Sequence, residues 1–284
     1  RDGMLAIGSA ELAIILVMIV GATGLPLVIV AIVRMTTAGA GDAGQPEAVV
    51  AVARRGRMAS VAAALGYLVG MVVLVAMALG SHRVGLLAGA PLLAAATGLV
   101  VLLVAGRAAA RENTGTRRTA VLNARTPELI VKTGWHLLLL VVAVALVVSQ
   151  LVLQVGRRAD SELLADLPLA AQVLGLGLVV VLWALLSRAA VLRPTLAEAD
   201  VAVDNALRRS DAARATRLAA IGMMQTLGFD LLVIAALADG HGAGRAGAGA
   251  LGALLVVAGP WLLAVPSARL PRASVPSWPS QQVA

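Results

Sequence analysis

Seven stretches of the chain are apolar from end to end: Leu12 to Val33, Ala59 to Leu79, Val84 to Ala105, Leu137 to Val155, Leu167 to Leu186, Leu218 to Ala238 and Ala246 to Val265. None contains Lys or Arg. A hydrocarbon core of roughly 30 Å needs about 20 helical residues to cross it, and each run has about that length. The pattern predicts an all-α, polytopic transmembrane helical bundle of seven helices, forming a single transmembrane domain over 1–265. The first run is longer than a signal-peptide core and is followed, not preceded, by Arg34, so it reads as a retained helix.

The polar breaks between the runs alternate in length and in charge. Long segments around 34–58, 106–136 and 187–217, with the stretch after the last run, hold 18 basic residues, whereas the short turns and the N-terminal stretch hold five: Arg1, Arg83, Arg157, Arg158 and Arg245. The positive-inside rule then sets the N-terminus outside and the C-terminus in the cytoplasm. Trp135, Trp183 and Trp261 all fall toward the arginine-rich side of their runs, the level an amphipathic ring prefers. The short outer turns pair the second run with the third, the fourth with the fifth and the sixth with the seventh, giving one lone helix followed by three hairpins. Two of these hairpins share a local sequence: Pro91-Leu92-Leu93-Ala94-Ala95 with Gly98-Leu99, against Pro168-Leu169-Ala170-Ala171-Gln172 with Gly175-Leu176.

Between the runs, Thr36 to Pro46 is rich in Gly and Ala and reads as a loop, and Pro194 to Arg217 reads as helical. In that second segment Asp204 and Arg208 stand at i,i+4, and with Arg209 they offer a docking surface for a cytoplasmic partner, or else belong to an extension of the following helix. The stretch 266–284 carries Pro266, Pro271, Pro276 and Pro279 and reads as a disordered cytoplasmic tail.

Composition narrows the function classes. With 60% hydrophobic and 13% charged residues the chain is far from a water-soluble domain, and its partner is first of all the lipid bilayer. The net charge of +8 is dispersed among apolar runs and comes with 2% aromatics, which argues against nucleic acid and for anionic headgroups. There is no cysteine, and the three histidines form no HExxH, so neither a metal site nor a thiol nucleophile is expected and no cofactor is implied. The phosphate-binding P-loop is absent, so ATP-driven work would require another subunit. The one lysine, Lys132, precedes the fourth run, which excludes a retinal-linked lysine in the last. Gly-x-Ser-x-Gly is absent, and no paired acid and base can be assembled, so the sequence does not point to an enzyme.

Asp230 is the acid set deepest within a run, and an ionisable group there marks a functional site by default. Thr226 shares its face one turn earlier, Gln150 and Gln154 lie together on the fourth run, and Gln172 enters near the outer end of the fifth. If these helices adjoin, the five residues line a transport pathway with Asp230 as a proton or cation site. In the other reading Asp230 is a buried hydrogen-bonding partner that locks helices together. Gly21, Gly24 and Pro26, and separately Gly259-Pro260, mark places where helices could kink or break, and Gly66-x-x-x-Gly70 a close helix contact.

The segment Arg117-Arg118-Thr119-Ala120-Val121-Leu122-Asn123-Ala124-Arg125, with Asp204-Asn205-Ala206-Leu207-Arg208-Arg209 and the lysine-poor, arginine-rich hairpins, resembles poorly characterised multipass integral membrane proteins of actinobacteria. The resemblance implies a bacterial plasma (inner) membrane location and supplies no site residues. The expected function is a permease-like transport component lacking its own ATPase, docked by a cytoplasmic ATPase or regulatory subunit. The alternative is a non-transporting scaffold or sensor that recruits a cytoplasmic partner through its basic loops.

Overall fold

The computed structural model describes residues 21, 24, 26, 29, 33, 47–80, 86–112, 133–157, 169–193, 201–237 and 243–262. It is all-helical among them, with α1 over Glu47–Gly80, α2 Leu86–Glu112, α3 Thr133–Arg157, α4 Leu169–Leu192, α5 Val201–Leu237 and α6 Ala243–Trp261. All six are long and apolar enough to cross a membrane and fit a multipass integral membrane protein. The five described positions of the first run, Gly21, Gly24, Pro26, Ile29 and Val33, are also helical, and Gly24 sits against Leu68 of α1. The rest of that run, the Thr36 to Pro46 loop, the Arg117 to Arg125 segment and the 266–284 tail lie outside the described residues.

The outer surface settles which solvent this fold is made for. On α3 the faces carrying Leu137, Leu140, Val144, Val147, Leu151 and Val155 are each more than half exposed or close to it, and α4 and α6 present comparable rows. Apolar area of that extent would aggregate in water and is at home in hydrocarbon. The inner seam of α3, by contrast, is Leu139, Val142, Leu146, Ser149 and Leu153, spaced three and four apart, and all five are buried.

Helix α5 is the axis of the bundle. It packs against α2, α3, α4 and α6 and touches α1, while α1 with α2 and α5 with α6 form tightly apposed antiparallel pairs. The middle hairpin expected from the sequence is corrected here: α3 and α4 follow one another in the chain but do not pack along each other, since α3 rests on α5 while α4 rests on α2 and α5. Small residues make this possible. Ala215, Ala219 and Gly222 on α5 let α2 approach so closely that a Cβ on Gly222 would lie 3.0 Å from the Pro91 carbonyl. Likewise Gly66 and Gly70 of α1 abut α2, with Ala94 Cα 3.1 Å from where a Gly70 Cβ would stand. The two segments of similar sequence are neighbours: Gly175 sits on Leu92 and Gly89 on Gln172.

Lipid tails are as apolar as leucine, so burying such surface between helices gains little inside a membrane, and close backbone approach and hydrogen bonds must hold the helices. The α5–α6 contact illustrates the first device, for a Cβ added at Gly228 would stand 2.7 Å from the Gly252 carbonyl. Gly228→Ala is therefore expected to force the pair apart and cost about 1–3 kcal/mol. Thermal unfolding in mild detergent checks this, with Gly177→Ala, which meets nothing within 4 Å, expected to leave the midpoint unchanged.

Two helices overrun their apolar stretches. With 34 residues α1 is about 51 Å long and with 37 α5 is about 55 Å, well beyond a hydrocarbon core. Pro194 to Arg217 is thus, from Val201 onward, the beginning of α5 itself, and its apolar positions are covered: Val203 and Leu207 pack with Val49 and Ala53 of α1. At the other end of the chain Gly259-Pro260 does not break a helix midway but lies in the last turn of α6, where the Leu262 amide donates to the Gly259 carbonyl at 3.0 Å.

Candidate functional site

Because α5 is central, each polar side chain on its membrane-spanning half meets a different set of helices. Gln225 and Asp230, five residues apart, point to different sides. Gln225 is fully buried, accepts from the hydroxyl of Tyr67 on α1 and donates to the Val256 carbonyl on α6 at 3.0 Å. Both ends of its amide are thus satisfied, and the residue works as a three-helix tie.

Asp230 faces α3 and α4 and is also fully buried. Its Oδ2 accepts from Ser149 Oγ at 2.8 Å and from Gln150 Nε2 at 2.5 Å, and Oδ1 accepts from Gln172 Nε2 at 3.1 Å. The Ser149 hydroxyl lies equally 2.8 Å from the Leu146 carbonyl, so its proton is shared. These partners are neutral, and all present donors, which is the arrangement an ionised carboxylate selects. Unlike the Gln225 centre, this one has capacity left over: Gln150 Oε1, Gln172 Oε1 and Thr226 Oγ1 are buried without a hydrogen-bond partner. Rotating either amide by half a turn exchanges donor for acceptor within the same envelope, so the centre can also solvate a protonated Asp230 or a cation beside it.

The structure therefore brings together Asp230, Gln150 and Gln172, with Thr226 one turn away on α5, and leaves Gln154 outside. Gln154 is exposed because the buried seam of α3 passes through Ser149 and Leu153, and a residue adjacent to Leu153 on its far side faces outward. Ser149 is the member that sequence reasoning missed. Its adjacency to Gln150 is the available signal, since two consecutive helical positions straddle one neighbouring helix.

The arginine-rich end of the bundle forms a second polar layer. Arg208, fully buried, donates from Nε to Asp204 Oδ2 at 2.8 Å and from Nη1 to the carbonyls of Ala190 and Val191 at 3.2 and 2.7 Å. Those carbonyls belong to the last turn of α4, which has no residues of its own to satisfy them, so Arg208 caps a neighbouring helix. Asp211 receives Arg193 at 2.9 Å and Arg214 at 2.6 Å, and Arg214 also donates to Ser210 Oγ at 2.9 Å. Trp183 donates to Thr216 at 3.1 Å, His136 meets the Trp183 ring edge-on at 5.7 Å, and Arg217 lies 5.9 Å over the Trp135 ring. Of the three residues expected at a docking surface, Asp204 and Arg208 thus turn inward as one ion pair, and Arg209 remains on the outside. Among the described residues no three His, Cys, Asp or Glu side chains gather as a metal site would require.

No protein-family model, curated protein or solved structure matches this chain.

Proposed function

We propose that this multipass membrane protein is a permease-like transport component whose working residue is Asp230, which exchanges a proton or a monovalent cation as it goes between two arrangements of α3 and α4. The observation that carries the reading is a carboxylate sealed within an apolar bundle, approached only by neutral donors and flanked by buried oxygens that have no partner. A fixed negative charge there would be costly, and a group that changes charge relieves that cost by taking up a positive one. Further support comes from the packing: α3 and α4 converge on Asp230 without packing on each other, so α3 can shift relative to Asp230 without carrying α4 with it. In this reading a cytoplasmic ATPase or regulatory subunit supplies any ATP-driven step. The exposed arginines at that end, Arg209 among them, are where such a subunit would dock. The bacterial plasma membrane is the proposed location.

Reconstitution into vesicles tests this reading. With an imposed potential, the protein is expected to carry H+ or Na+ across the bilayer, read by an internal pH dye or a Na+ indicator. Vesicles that remain as tight as protein-free ones to both ions would favour the scaffold reading, in which Asp230 only joins α3, α4 and α5.

A further inference from the structure

An ionised carboxylate has about four positions at which it can accept a hydrogen. At Asp230 three of them are used among the described residues: Oδ2 receives Ser149 and Gln150, and Oδ1 receives Gln172 alone, at 3.1 Å. On the two amides that hold the carboxylate, and on Thr226 one turn away, sit three oxygens without a donor, each on a side chain more than nine-tenths buried. The charged and titratable groups of the helices packed on α5 stand elsewhere, and none of them bears on Asp230. Tyr67 of α1 is engaged by Gln225 on another side of α5, and the arginines of α1, Arg107 of α2, His136 of α3 and Arg188 of α4 lie toward the arginine-rich end. Arg157 closes α3 two turns beyond Gln150, and Arg245 is exposed in the first turn of α6.

A proton and a metal cation ask different things of this arrangement. A proton occupies a lone pair of Oδ1, adds almost no volume, and leaves Ser149 and Gln150 donating to Oδ2 as they do now. The resulting hydroxyl donates to the oxygen that Gln172 offers after half a turn of its amide, so at most one amide moves. Na+ or Li+ can be held only by oxygens, and both amides present NH2 to the carboxylate, at 2.5 and 3.1 Å. Both would have to turn, giving up the hydrogen bonds that fix Asp230 between α3 and α4. Gln172 cannot retreat to make room either, since Gly89 of α2 lies against its stem and backbone. A proton also cancels the buried charge, whereas a metal ion sets a second one beside it.

We propose that the ion taken up at Asp230 is the proton and that Na+ and Li+ are excluded, because the carboxylate is enclosed by donors whose arrangement a proton keeps and a metal ion must dismantle. This rests on the reading of Asp230 as the charge-changing residue of a transport component. Transport through the protein then depends on pH and on the membrane potential and is indifferent to Na+.

The test uses the full-length protein in vesicles under a K+ diffusion potential set by valinomycin, with the bath salt changed from choline to Na+ or Li+ at constant pH and ionic strength. An internal pH dye is expected to report the same rate of H+ uptake in each salt. An internal Na+ indicator should show no entry beyond that of protein-free vesicles, and Asp230→Asn should abolish the H+ signal. H+ uptake slowed by Na+ or Li+, or Na+ entry above the protein-free rate that Asp230→Asn removes, would overturn proton selectivity while leaving Asp230 as the transport residue. Vesicles tight to both ions, or H+ uptake undiminished in Asp230→Asn, would instead bring down the transport reading and this inference with it. Should Asp230→Asn fail to fold, the comparison of salts on the parent protein decides alone.

Discussion

Asp230→Asn is expected to reduce ion flux in vesicles to the rate of protein-free bilayers while leaving the protein folded. The substitution keeps the size of the side chain and an acceptor oxygen for the donors that converge on it, namely Ser149, Gln150 and Gln172. Where the new amide presents its NH2, the facing glutamine can turn its Oε1 inward, and both glutamine oxygens are otherwise unengaged. The stability cost should therefore be small, under about 1 kcal/mol, in keeping with single hydrogen bonds inside membranes. What the asparagine cannot do is change charge. Asp230→Leu separates the two roles from the other side, because it removes the acceptor as well. Buried donors left unpaired cost about 1–3 kcal/mol each, so this variant should unfold at a distinctly lower temperature in detergent. Flux lost with stability kept in Asp230→Asn, and both lost in Asp230→Leu, is the pattern of a charge-carrying site. If Asp230→Asn conducts like the original, the carboxylate is a helix tie and no more.

Arg208→Ala should produce the largest loss of stability outside the Asp230 centre. It deletes a fully buried guanidinium and strands what that group held: the Asp204 carboxylate and the carbonyls of Ala190 and Val191. Breaking a buried ion pair by removing one partner typically costs about 3–5 kcal/mol, since the remaining charge stays behind unpaired. The double variant Asp204→Ala with Arg208→Ala should recover part of that loss, leaving chiefly the uncapped end of α4. Thermal or denaturant unfolding in detergent measures both. By comparison Arg209→Ala, on the exposed side of the same turn, is expected to leave stability near that of the parent and to act only on the docking of a subunit.

The apolar runs were legible because a bilayer imposes one requirement on every crossing segment, and six of them are helices here. The helical stretch ahead of the sixth run was legible as well and is the start of α5, whereas the extension of α1 through Arg54, Arg55 and Arg57 was not, since hydropathy says nothing there. What covers that extension is a tertiary contact, Val49 and Ala53 of α1 against Val203 and Leu207 of α5, which the sequence of α1 alone does not reveal. Neighbours in sequence suggested neighbours in space, which holds for α1 with α2 and α5 with α6. It fails for α3 with α4, because α3 packs on α5 while α4 packs on α2 and α5. At the candidate site Asp230 announced itself by its cost in hydrocarbon, and Gln150 and Gln172 by their rarity there. Gln154 looked equivalent to Gln150, and only the seam of α3, which bends past Ser149 to Leu153, separates the buried amide from the exposed one. The i,i+4 pair Asp204 and Arg208 reads in sequence as an exposed helix face, yet the end of α4 that Arg208 caps is supplied by tertiary structure alone.

That Asp230 changes its charge in the course of its work is the central claim, and infrared difference spectroscopy of the protein in vesicles tests it most directly. Spectra compared between acidic and alkaline baths, and with and without Na+, isolate the carbonyl stretch of a protonated carboxyl in apolar surroundings. The account requires such a band that falls on alkalinisation or on adding Na+ and is absent from Asp230→Asn. A band assigned to Asp230 that is the same in every bath would mean a permanently protonated side chain and would contradict it.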